Sequence, residues 1–178
     1  MDQEELQLFE AFGNYATENV FWSLVFINNA AFRTPLREEV KNKLLGMNKM
    51  YDTIITSIYP SEDGRNLVAA MGNNNRFFVA YVEHLMQEDS QANAFKQKWK
   101  ENGRQMAMLL CKMNPYWKAA EWSAMIGHES DLLDTIASNL KSKNCSVFAN
   151  TAPICQRLAV DMSKYMSVGI VKQNGDKW

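Results

Sequence analysis

Five polar residues recur on otherwise apolar helical stripes: Asn19, Asn74, Asn102, His128 and Asp161. Each has an aromatic residue about one helical step away, namely Trp22, Phe78, Trp99, Trp122 and Tyr165. Amide, imidazole and indole groups at one depth of a helical bundle are the materials of an interior binding site. They are equally the materials of a buried hydrogen-bond layer that sets helix register. A polar group on a core stripe must find a partner or lose about 1–3 kcal/mol. The expected ligand-binding set is therefore Asn19, Trp22, Asn74, Asn102 and His128.

The types present argue against several chemistries. Asparagine is a poor ligand for zinc or iron, so no metal-binding residue is assigned. The Glu-x-x-His pairs of di-metal bundles are missing, since Glu83-His84 and His128-Glu129 are adjacent pairs whose side chains diverge on a helix. Gly72-Asn73-Asn74-Asn75 carries no lysine and is not a phosphate loop. Cys111, Cys145 and Cys155 are odd in number and match no metal spacing, which points to free thiols in a reducing compartment. Eleven methionines could line an adaptable pocket, but spread over every helix they read first as core filler.

Helices must position these residues. Apolar residues recur with helical period between sparse Pro and Gly breaks, and period-two alternation is nowhere sustained. The segments expected are Gln3 to Phe32, Leu36 to Ile58, Gly64 to Gln87, a helix opened by Asp89-Ser90 and closed at Asn114-Pro115, Trp117 to Lys141, and a last helix to about Lys172. Pro153 predicts a kink or late start in the last helix, and Gly175 a C-cap. Trp122, Met125, His128 and Leu132 are read as the core stripe of the fifth segment. Val147, Thr151, Ile154, Leu158, Asp161, Tyr165 and Val168 are read as that of the sixth. Short connections make neighbours antiparallel. The expectation is a single all-α domain over 1–178, an up-and-down four-helix-bundle core with additional segments, about six helices in all.

Composition narrows the function. A net charge of -1 gives no footprint for nucleic acid, and no apolar run is long enough to span a membrane. The start, Met1 to Phe9, is acidic and unlike a leader, so the expected location is the cytoplasm. Three readings compete. The favoured one is a non-catalytic binding module for a small molecule, its identity and any cofactor unknown. The second is a degenerate metal-dependent, hemerythrin- or ferritin-like enzyme using His128 with Glu129 or Asp161. The third is a structural or interaction protein, a homodimer through an apolar helix face.

At Trp99-x-x-Asn102, Asn114-Pro115-x-Trp117, His128 and Gly169-Ile170-x-Lys172-Gln173, the chain resembles a family of small bacterial helical-bundle proteins. Glu18-Asn19-Val20-x-Trp22 and Leu44-Leu45 follow the same frame, so the resemblance covers most of the chain. Members are often labelled acetylglutamate kinase, wrongly. The resemblance implies an all-helical bundle with no established activity. It also implies histidine in relatives at the positions of Asn19, Asn74 and Leu158, a cluster suited to metal from which this chain departs.

Overall fold

A computed structural model of the chain describes residues 3–174. The terminal Met1-Asp2 and the expected C-cap glycine, Gly175, lie outside the described residues. The fold is the expected all-α bundle. Its helices are α1 (Gln3–Phe32), α2 (Arg37–Gly46), α3 (Asn48–Ile58), α4 (Glu62–Met86), α5 (Ala92–Met113), α6 (Ala119–Lys141) and α7 (Cys145–Asn174). Helices α2 and α3 divide the segment expected to be continuous from Leu36 to Ile58. Around Met47 the backbone tightens: Met47 N–H donates to Leu44 O at 3.2 Å and Met50 N–H to Met47 O at 3.2 Å, both three-residue steps.

Helices α4 to α7 pack in succession, and α1 lies chiefly against α7, with lesser contacts to α6 and α4. Helices α2 and α3 cover α1 and α4. None of the described helices is long and apolar enough to cross a membrane.

Three helices stop without glycine. Arg33, Glu88 and Lys143 adopt left-handed φ of 53°, 59° and 62° just past α1, α4 and α6. Each is followed by an N–H that reaches five residues back: Thr34 to Asn29 O, Asp89 to His84 O, and Asn144 to Asn139 O. These wrapped ends satisfy carbonyls that the helix leaves open. Lys143 adds a second service, its Nζ donating to Ala31 O at 2.7 Å at the end of α1. The expected Asp89-Ser90 cap does not form: the N-cap of α5 is Gln91, without a side-chain cap, and Asp89 instead makes a turn before it, its Oδ1 accepting from Gln91 N–H at 2.8 Å.

The break after α5 is built by Asn114. Preceding Pro115, it is extended (φ -140°, ψ 120°), as the proline ring requires. Its side chain is fully buried, accepts from Tyr116 N–H at 2.9 Å and donates to Tyr59 Oη at 3.0 Å. Tyr59 in turn donates to Gln173 Oε1 at 2.7 Å, which ties α3, α5 and α7 together at this end. Pro153 neither delays nor splits α7. Ala149, whose carbonyl loses its donor there, is exposed, so water can satisfy it.

The buried face of α7 differs from the expected stripe. Thr151, Cys155, Ala159, Ser163, Met166, Ser167, Gly169 and Ile170 are buried, while Ile154 and Asp161 are exposed. Small side chains let α7 approach its neighbours closely. At Gly169 a Cβ would lie 1.9 Å from Trp117 Nε1, so this glycine is required by the indole packed on it. Gly169→Ala should cost about 1–3 kcal/mol through overpacking, read as a lower midpoint in chemical unfolding. An unchanged midpoint would mean that Trp117 does not sit there.

Candidate functional site

The core forms two clusters. One, around Phe26, Phe78, Tyr81, Trp99 and Ile136, is solid apolar packing. The other, around Phe12, Tyr51, Leu67, Met106, Trp117 and Trp122, surrounds a cavity of about 90 Å³. The cavity draws on the first half of α1, the first half of α4, the second half of α5, the first half of α6 and the second half of α7. Antiparallel succession brings those halves to one end of the bundle.

Its walls are mostly aromatic and thioether. Phe12 and Tyr15 on α1 meet Tyr51 on α3, with ring centroids 5.7 and 4.2 Å apart. Trp122 on α6, 1% exposed, is held edge-on between Trp117 (6.0 Å, 90°) and Tyr165 (5.3 Å, 61°). Its indole N–H has no hydrogen-bond partner. Met71, Met106, Met162 and Met166 line the same space, and Tyr51 Oη donates to Met166 Sδ at 2.9 Å. Four of the eleven methionines are thus wall rather than filler.

One ionisable acid stands on this wall. Glu129 lines the cavity from α6, and among the described residues neither a hydrogen bond nor a charge offsets its loss of water. By accessible surface Glu129 is half-buried. Burial pushes its pKa up to about 7. Tyr15 is raised above its ordinary value, by burial first and then by the Glu129 charge. Cys155 is pushed up to about 12 by burial and again by Glu129, so it is a protonated core thiol and no nucleophile. Glu129 therefore lies near both α1 and α7.

The expected site residues separate. Asn19 and Asn74 line the cavity, and the buried Asn74 Oδ1 has no partner. Asn19 Nδ2 donates to Asn75 Oδ1 at 3.3 Å, and Asn75 Nδ2 to Leu44 O at 3.1 Å. Asn75, next to the residue singled out in the sequence, is thus the satisfied polar layer joining α1, α2 and α4. Asn102 is buried but structural: its Nδ2 donates to Ala70 O at 2.9 Å, bracing α5 on α4 outside the cavity. Trp22 is half-buried at the junction of the two clusters, with Lys43 Nζ 5.7 Å from its ring centroid, and does not line the cavity.

His128 is exposed and takes no part in the site, which corrects its placement on the core stripe. The buried stripe of α6 is Trp122, Ile126, Leu133, Ile136 and Leu140, and its four-three spacing passes through Glu129. That stripe was visible in the sequence as a longer apolar run than the one through Met125 and Leu132, with an acid at its centre. Substituting His128 by Asn or Leu should change stability by no more than about 0.5 kcal/mol, checked by thermal melting of both variants.

Asp161 and His128 are both exposed and neither lines the cavity, and no group of three His, Cys, Asp or Glu able to hold a metal occurs among the described residues. The arrangement suits reversible capture of a small molecule: apolar walls for bulk, one acid and a few amides for orientation. Compared with protein-family models, curated proteins and solved structures, the chain matches none significantly.

Proposed function

We propose that this protein is a cytoplasmic binding module whose interior cavity takes up a small, largely apolar molecule. Asn19 and Asn74 remain from the set expected from sequence; Trp122 and Glu129 replace Trp22, Asn102 and His128. The observation that carries this reading is the unpaired Glu129 carboxyl on a cavity wall that is otherwise uncharged and mostly apolar. A carboxyl drawn out of water without a partner destabilises a fold, so a residue of this kind in a cavity marks a functional site. The resemblance to a bacterial helical-bundle family without established activity adds no substrate and is compatible with a non-catalytic role.

Xenon tests whether the cavity admits a guest, because it enters apolar cavities without needing polar partners. In protein labelled at the methionine methyls, xenon pressure should shift Met71, Met106, Met162 and Met166. The exposed Met50 and Met108 should stay in place. Shifts confined to the exposed methionines, or none at all, would refute the reading.

A further inference from the structure

The unmatched polar atoms on the cavity wall are biased toward acceptors. The buried ones without a partner are Asn74 Oδ1, an acceptor, and the Trp122 indole N–H, on a ring wedged between Trp117 and Tyr165. The half-buried Glu129 carboxyl adds a second acceptor with no charged or hydrogen-bonding partner among the described residues. Among the described residues, no lysine, arginine or histidine lines the space. The rings of Phe12, Tyr15, Tyr51 and Trp122 surround it, and aromatic faces attract cations. A carboxylate in such a place calls for a ligand that brings positive charge and donors without acceptors. An ammonium does this, with three donors and no lone pair.

We propose that the cavity binds a small protonated amine, its ammonium paired with the Glu129 carboxylate and Asn74 Oδ1 and its carbon chain packed on the methionine and aromatic walls. This deepens the binding reading above and rests on it. A volume of about 90 Å³ limits the guest to a few non-hydrogen atoms, at ~30 Å³ for a water-sized group. A metal ion is a poorer match, because a single carboxylate with amides offers too few hard ligands.

Binding is coupled to protons. The ammonium pairs with the ionised acid, so below a pKa of about 7 each binding event releases the Glu129 proton to water. The other titratable groups facing Glu129 are Tyr15 from α1 and Cys155 from α7, with Tyr51 from α3 on the same wall; α4 and α5 bring none. All three are shifted upward and stay protonated from mild acid to mild base. Of these four groups, Glu129 alone changes charge in that range.

The test is calorimetric titration of the full chain with n-propylamine and with its neutral isostere n-propanol, for the natural protein and Glu129→Gln. The amine should bind at least tenfold more tightly than the alcohol at about pH 8. It should lose about 100-fold in affinity by about pH 5, as the protonated acid must first be ionised. Glu129→Gln should abolish that preference and the pH dependence of amine binding. Alcohol binding equal to or tighter than amine binding would overturn the amine assignment and leave the cavity as a site. If neither probe binds either protein, the binding reading itself fails, and the assignment with it.

Discussion

Replacing Trp99 with alanine should remove about 3–5 kcal/mol of stability, the range for deleting a large aromatic from a packed core. Trp99 is 2% exposed and centres the solid cluster. Its ring lies 5.0 Å from Phe78 and 5.9 Å from Tyr81, the latter pair nearly parallel at 19°. The alanine variant leaves both of these rings without that neighbour. Trp99→Phe should cost much less, because it keeps a ring and removes an indole N–H that has no partner. Urea unfolding of the two variants reads the difference. A loss below about 1 kcal/mol for Trp99→Ala would show that this ring is not the centre of the packing.

Replacing Glu129 with glutamine should stabilise the protein, with a pH dependence whose sign is fixed. The folded pKa, about 7, lies above the ordinary 4.5. The folded state therefore holds the proton more tightly than the unfolded one between those values, and stability falls as pH rises through that window. Above about pH 7 the full penalty of ionising a buried acid is present, on the order of 3 kcal/mol at ~1.4 kcal/mol per pH unit. Glutamine keeps the shape and carries no charge. The gain of Glu129→Gln over the natural chain should be largest in mild base and vanish below about pH 4.5. A gain independent of pH, or a loss in mild base, would mean that Glu129 has a partner in the fold.

The helices were legible because their signals are local. Apolar period, Asn114-Pro115 and the Asp89 turn each act within a few residues of the boundary they set. The helix ends at Arg33, Glu88 and Lys143 were less legible, since no glycine marks them and tertiary contacts such as Lys143 to Ala31 O hold them. The site was half legible. Asn19 and Asn74 are on apolar stripes and do face the cavity. Trp22 and Asn102 have the same local pattern, and only packing puts one at a cluster junction and the other on Ala70 O. On α6 a shift of one residue, roughly 100° around the helix, exchanges His128 for Glu129. On α7 the apolar pattern misleads for a different reason. Its close contacts select Ala159, Ser163 and Gly169 for size, which hydropathy does not register.

The central claim is that the fold holds one unpaired carboxyl on the wall of an apolar cavity, and the Glu129 carboxyl carbon reports on it directly. In protein labelled with carbon-13 at the glutamate side chains, assigned through Glu129→Gln, its resonance should titrate with a midpoint near pH 7. On saturation with n-propylamine the midpoint should fall toward the ordinary carboxylate range, as the paired charge is stabilised. A midpoint already near 4.5 in the free protein would contradict the account, because a carboxyl with an ordinary pKa is solvated or paired and leaves the cavity without its binding group.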